Sequence, residues 1–449
     1  MMDVVTLALA KNYSSGLYST ATKNLVEPNM SDIVIIDDFS TGWTGSGAED
    51  VEHVRYGFKS IKLTHDGVGA MPQITKTFEQ GKNLLGKVLL FSFYVEDSSN
   101  IFQIAIRFRV HGTNKEFLCG MLTHQTGINR IITEGWNTYS VPLMRLTGDS
   151  GLTPADWTNV TSINIRIESY NNVTSSVTLD AILAIQNPLT NGLISLDFDD
   201  ARESVYSVAR PILSQYGFRG TACVIPTEVG KPRYANIHQL RTLEDMGWDI
   251  ASHGYSHATL SQIPKEDIEG ECSLAYEWLI RNGFRRGIDH LVYAGTDVVT
   301  PDMLEVVPKY YATGRLSSQI NGGQTLPTMD RYKRGACAVH ASTSIEAVKT
   351  LIDGAVQHKT WLTLYFHGFL AGEGLIQDPG RLEAIVEYIH QSQATVVTTS
   401  DIFPTNGGTH WFGDTRNTSS TGVVLRAENG SFYKIEVTND GEIVATLVQ

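Results

Sequence analysis

The chain has 449 residues, 42% of them hydrophobic and 18% charged, with a formal net charge of −13. That balance suits folded, strand-rich material rather than disorder, and the absence of any basic cluster argues against a nucleic-acid partner. A chain of this length should divide into about two to four domains, and no run reaches the ~18 apolar residues of a membrane span, so no membrane insertion is expected.

The chain opens Met1-Met2-Asp3 with no basic stretch before its short apolar run, so no signal peptide is expected. Residues 3–24 read as a helix in which Leu7, Ala10, Ser14, Leu17 and Ala21 recur at coiled-coil spacing; two heptads fit a coiled coil and a short amphipathic helix packed on its own chain equally well. Pro28 and Asn29 mark a linker. The next region alternates apolar and polar residues in short runs punctuated by Gly, Asn, Asp and Ser. Examples are Lys87–Val95, Phe102–Val110 and Ser162–Ile167. This is the pattern of a β-sandwich. Trp43, Trp136 and Trp157 could each stack on a sugar or fill the core.

A boundary follows at Asn187-Pro188-Leu189-Thr190-Asn191-Gly192. Beyond it, strand-like and helix-like runs take turns. Ser204–Tyr216, His238–Met246, Lys265–Asn282, Ile345–His358 and Asp378–Gln391 read as helices, and Gly220–Ile225 and Gly247–Ala251 as strands. This βαβα order predicts a parallel sheet or barrel. Past residue 405, the turns Glu428-Asn429-Gly430 and Asn439-Asp440-Gly441 separate three apolar runs as hairpins. The expected domains are 1–28, 29–188, 189–404 and 405–449. The four cysteines stand far apart with no Cys-x-x-Cys, against both a disulfide framework and a cysteine metal site. Cys223 and Cys337 lie in apolar runs and read as core thiols.

Chemistry concentrates at three strand ends. Leu193–Leu196 runs into Asp197-Phe198-Asp199-Asp200, Trp248–Ala251 into Ser252-His253-Gly254-Tyr255-Ser256-His257, and Trp361–Phe366 into His367. Polar groups at the C-terminal ends of parallel strands are where α/β folds build sites. A His-x-x-x-His pair and a carboxylate from another strand supply three ligands for a divalent metal, with positions left open. A neighbouring carboxylate can then act on bound water, which is metal-assisted hydrolysis. A lone histidine such as His367 is ordinarily a satisfied core residue, but this is the third strand end to carry an ionisable group.

These segments resemble the first, second and fifth motifs of the polysaccharide deacetylases (NodB homology domain, carbohydrate esterase family four), over about residues 190–403. Leu291–Gly295 and Tyr310–Arg315 resemble further strand-end segments of that family. The resemblance implies a distorted (β/α) barrel with a divalent metal, zinc foremost, held by Asp200, His253 and His257. It makes Asp199 the general base and His367 the general acid, with Tyr293, Arg315 and Tyr365 near the substrate. Around these residues the chain departs from the pattern. Asp197 replaces the usual Thr, and Ala201-Arg202 the usual Gly-Pro. Tyr293–Asp297 lacks the third motif's Arg and Pro. The fourth motif has no clear match, Arg331 and Arg334 being the nearby candidates.

The flanking regions carry further resemblances. Residues 29–188 are similar to the jelly-roll carbohydrate-binding modules of glycan enzymes. The opening Leu7–Tyr13 resembles the leading segment of tail and baseplate proteins in prophages of Gram-positive bacteria, and the C-terminal hairpins resemble the β caps of trimeric phage tail fibres. Together these imply a homotrimeric phage tail protein, located on a virion or released by lysis, acting on an acetylated bacterial cell-surface glycan, with tail or baseplate proteins as partners. A catalytically degenerate barrel that binds a glycan receptor, and a bacterial wall or spore enzyme, are the alternatives.

Overall fold

The computed structural model describes residues 33–68, 71–98, 100–122, 132, 134–142, 147–169, 173–296, 298–317, 323–326, 331–371, 373, 378–403, 410–412, 422–426, 432–437 and 443–448. The helix expected over residues 3–24 lies outside them.

Residues 34–186 form two antiparallel sheets. One runs Ala48–Asp50, Ser60–Asp66, Thr174–Gln186, Lys87–Val95, Gly135–Pro142, with Val34–Asp37 also paired to Thr174–Gln186. The other runs Thr147–Gly148, Glu116–Leu122, Ile101–Val110, Val160–Ser169, Gln73–Lys82, Trp43–Gly45. Alternation along these strands sends one face of each sheet into a shared apolar core that includes Phe91, Phe93, Phe108 and Ile165. Trp157 belongs to that core, stacked on Phe117 at 4.2 Å. Trp43 turns inward as well, stacking on Phe39 and donating its indole N–H to Asp37. Trp136 is half-buried with Arg55 over its ring.

The second region is built on parallel strands: β1 (Leu193–Phe198), β2 (Thr221–Val224), β3 (Asp249–Ser252), β4 (His290–Val292), β5 (Thr313–Arg315), β6 (Cys337–Ala338), β7 (Trp361–Phe366) and β8 (Thr395–Val396). Their order is β5-β4-β3-β2-β1-β7-β6, with β8 paired to the start of β1. The far edges approach each other. Arg315 and Arg334 form a parallel bridge, Leu316 N–H donates to Arg334 O, and residues 334–338 lead directly into β6. The curled sheet fits a distorted barrel.

Strand alternation divides the side chains of this sheet. Ile194, Leu196 and Phe198 of β1 and Leu362, Leu364 and Phe366 of β7 pack outward in one apolar cluster. It includes Leu213, Leu243, Ile268, Ile352 and Ile385 of the covering helices. The other face of the same strands is polar: Ser195, Asp197 and Asp199 on β1 and just beyond it, and Trp361, Tyr365 and His367 along β7. Near the strand starts the Trp361 indole N–H donates to Ser195 Oγ at 2.8 Å. Higher up, two-residue spacing carries Asp197 and then Asp199 to successive levels, and Tyr365 and then His367 likewise.

The covering helices fall close to where periodicity puts them: Ile237–Asp245, Lys265–Arg281, Ile345–His358 and Pro379–Gln391. The first of the predicted helices begins as a π-turn over Val205–Ala209 and becomes regular only at Arg210–Ser214. The four cysteines are buried and none is in a disulfide. Strands His410–Phe412, Gly422–Arg426, Phe432–Val437 and Ile443–Val448 form an antiparallel four-stranded sheet, the first of them beyond the three apolar runs read as hairpins. Among the described residues no helix is long and apolar enough to cross a membrane.

Candidate active site

The three metal-ligand candidates converge. The nearest donor atoms of Asp200, His253 and His257 all lie within 4.8 Å of one another. Asp200 Oδ1 stands 3.8 Å from His253 Nε2 and 3.5 Å from His257 Nε2. Local backbone geometry makes this convergence possible. Asp200 and Ala201, just past β1, hold positive φ of 68° and 46°, and His257 holds 67°. Such conformations are unfavourable for these residue types and collect where a site needs them. Gly254, at φ 76°, lets the chain turn after His253. Glu271, on the Lys265–Arg281 helix, accepts from the N–H groups of Tyr255 and Ser256 and fixes that turn.

The donors are prepared as well as placed. His253 Nδ1 lies 2.8 Å from Val292 O, so it carries the proton and Nε2 presents its lone pair toward Asp200. Burial pushes the His253 pKa down against the pull of Asp199 and Asp200, which favours the neutral, ligating form. The second Asp200 oxygen, Oδ2, accepts from Arg202 Nη2 at 2.9 Å and from its Nε at 3.2 Å, and the Arg202 guanidinium lies over the Tyr234 ring. Two imidazoles and one carboxylate oxygen with an exposed side left open suit a divalent ion, which when bound supplies Lewis acidity.

Asp199 is held by a different cation. Arg315 Nη2 donates to Asp199 Oδ1, while Arg315 Nε lies 3.0 Å from Asp197 Oδ2. All three residues are buried, Arg315 completely. Burial raises the Asp199 pKa, but Arg315, with His253 and His367, more than offsets it and holds the carboxyl below its usual value. Burial dominates at Asp197, whose pKa is raised despite Arg315 and Arg334. The Asp that replaces the family's Thr is therefore half of a carboxylate pair around one guanidinium.

His367 follows β7 on the same face as Tyr365, their ring centroids 5.8 Å apart, and is half-buried. His340, which sequence reasoning missed, lies beside it with near-parallel rings and centroids 6.4 Å apart. The arrangement thus offers a fixed carboxylate in Asp199 and, at the end of the neighbouring strand, the imidazole of His367.

The three residues expected near the substrate are all buried. Arg315 is fully buried in its ion pairs and lies over the Tyr365 ring at 4.7 Å. Tyr365 is 6% exposed, its hydroxyl donates to Ser317 O, and burial followed by Asp199 pushes its pKa up to about 12. Tyr293 is 1% exposed and packs outward with Leu291, its hydroxyl donating to Tyr332 O. Alternation explains Tyr293, since Leu291 and Tyr293 share the helix-facing side. Of the two fourth-motif candidates, Arg334 is buried against Trp361 and Arg331 lies over Phe403. The cation on Asp199 is Arg315.

Residues 186–296 match the family model described as polysaccharide deacetylase. No curated protein matches the chain. Among solved structures, similarity extends to the Xyl-CE4 domain of a multidomain xylanase from the hindgut metagenome of Trinervitermes trinervoides. It is 21% identical over 48% of this chain and 90% of that one, with a TM-score of 0.36. A family 4 acetyl xylan esterase from Clostridium thermocellum is 15% identical over 47% of this chain and 90% of that one, with a TM-score of 0.35. A family 11 carbohydrate-binding module from Clostridium thermocellum is 14% identical over 34% of this chain and 95% of that one, with a TM-score of 0.27. At these TM-scores the structural likenesses bear no weight in the assignment. The family match takes in Asp199, Asp200, His253 and His257.

Proposed function

We propose that this protein removes acetyl groups from a bacterial surface polysaccharide or a peptidoglycan sugar by metal-dependent hydrolysis. The observation that carries the reading is the meeting, at the C-terminal ends of β1 and β3, of a three-donor set with a separately held carboxylate. Asp200, His253 and His257 would hold the ion, zinc foremost. Asp199 takes the proton of the attacking water, its ionised form secured by Arg315. His367, just past the end of the neighbouring strand β7, gives a proton to the departing amine or alkoxide. The test is acetate release from acetylated bacterial glycans and chitooligosaccharides, with added Zn²⁺ and with chelator, beside Asp199→Asn. Chelator-sensitive release that is lost in the variant supports the reading; release that persists in both overturns it.

The departures around the donors favour a second reading, a barrel that binds a glycan without cleaving it. Arg202 on Asp200 Oδ2 is the feature that supports it. That reading requires glycan binding with no acetate release at any metal concentration. For setting, we place the chain in a phage or prophage tail as a homotrimer, with residues 29–188 as a jelly-roll glycan-binding module. The support is the resemblance of the two ends of the sequence to tail proteins. Sedimentation as a monomer at working concentration would remove the trimer, and absence of the protein from purified virions would remove the tail.

A further inference from the structure

Glu373 is a carboxylate with 2% exposure that the proposed chemistry does not use. Its Oε1 accepts from Ser204 N–H at 3.1 Å. Its Oε2 accepts from the Ser204 hydroxyl and from the N–H groups of Phe369 and Leu370, the last two at 3.0 and 3.1 Å. Phe369 N–H is shared, also lying 2.9 Å from Ser204 Oγ. Ser204 follows Asp200 by four positions, and Phe369 follows His367 by two. Between His367 and Phe369, Gly368 leaves room for the contact, since a Cβ there would stand 2.5 Å from the Glu373 side chain.

These donors are all neutral, and a carboxylate kept among them gives up its hydration without an opposite charge in return. An apolar side chain of that size would leave the N–H groups of Ser204 and Leu370 without this acceptor. What the carboxylate adds is a rigid joint between two loops that belong to different strands, one carrying Asp199 and Asp200, the other His367. We infer that Glu373 is a positioning residue that sets the separation between the Asp199–Asp200 turn and the His367 loop. It would act through backbone N–H groups and touch neither substrate nor metal. The role of His367 rests on the deacetylase reading above; the joint itself does not.

The test loads the full chain with Co²⁺ and reads three quantities in the wild type, Glu373→Gln and Ser204→Ala. They are the Co²⁺ absorption spectrum, the paramagnetic relaxation of the His367 ring protons, and acetate release. A glutamine keeps the shape but turns an NH₂ toward one set of donors. The expected result for Glu373→Gln is an unchanged Co²⁺ spectrum, altered His367 relaxation, and kcat lower by about 10–100-fold with KM little changed. Ser204→Ala keeps the carboxylate and its Phe369 and Leu370 bonds, so a smaller change of the same kind is expected; it carries the test if Glu373→Gln does not fold. Wild-type relaxation and kcat in both variants, with only a lower unfolding temperature, would show a merely structural role and overturn the inference. A wild type that binds Co²⁺ but releases no acetate sinks the deacetylase reading, while relaxation still decides the joint. A wild type that binds no Co²⁺ sinks the metal site and with it the deacetylase reading; the joint is then decided by the His367 ring-proton chemical shifts, which unchanged in both variants would overturn it.

Discussion

Arg315 and Asp199 are 116 positions apart in sequence, yet they meet as a buried guanidinium–carboxylate pair inside the barrel, with Asp197 on the guanidinium's other edge. This relationship answers the missing third and fourth motifs: the candidate base is held by a cation from the end of β5. Arg315→Met should leave two buried carboxylates without their partner, which costs about 3–5 kcal/mol. Arg315→Lys keeps the charge but cannot span both carboxylates, and should lose less. Chemical denaturation of the three proteins checks the order wild type, Lys, Met. A methionine variant as stable as the wild type would mean the pair does not hold the barrel.

The two histidines of the metal set should fail differently when removed. His253 is 2% exposed and its Nδ1–H satisfies Val292 O, so His253→Ala strands a buried carbonyl and should cost about 1–3 kcal/mol even without metal. The His257 side chain is 45% exposed, and His257→Ala should leave the unfolding temperature of chelator-treated protein within error of wild type. Both variants should lose Zn²⁺ binding measured by calorimetry. Full Zn²⁺ affinity in either would remove that residue from the donor set.

Much of the site was legible because strand alternation and strand ends are local. Asp197 and Asp199 two apart, and Tyr365 and His367 two apart, already assign pairs to one face. The His253–His257 spacing marks a second corner of the same rim. Arg315 was legible as a residue but its ion pairs were not, because its partners come from β1 through long-range parallel pairing that no local pattern reports. The facing of Tyr293 was not legible for a simpler reason: an aromatic near a strand end reads equally well on either face until the register with Leu291 is known. Glu373 and His340 carried no signal, since loop residues gain meaning only when the loops meet.

Gly314 should tolerate no side chain. It sits between Thr313 and Arg315, and a Cβ there would overlap the Tyr293 hydroxyl. Gly314→Ala must push Tyr293 off Tyr332 O or shift β5, and with it Arg315. A loss of about 1–3 kcal/mol follows from overpacking alone. If the shift reaches Arg315, acetate release per folded molecule should also fall, whereas Gly270→Ala, on an open helix face, should leave release unchanged and raise stability by about 0.5–1 kcal/mol. Equal behaviour of the two variants in denaturation would contradict the packing argument.

Asp249 gives the barrel a pH dependence that is separate from the chemistry. Its carboxylate, fully buried at the start of β3, accepts from Ser400 N–H and pairs with Arg286, 3.0 Å away. Burial outweighs Arg286 and these hydrogen bonds, raising its pKa from 3.8 to about 6. A carboxyl with a raised pKa in the folded state stabilises the fold fully while it is protonated in both states, below about pH 4. That contribution is lost as pH rises through about 6. The loss amounts to at most on the order of 3 kcal/mol, from about 1.4 kcal/mol per pKa unit over the shift from 3.8 to about 6. Asp249→Asn keeps an oxygen for Ser400 and cannot ionise. The stability of wild type relative to this variant should therefore decline between about pH 4 and pH 6 and flatten above it. Thermal unfolding of both proteins across that range measures the difference directly, and a wild-type advantage that grows with pH would mean that Arg286 governs the Asp249 carboxylate and burial does not.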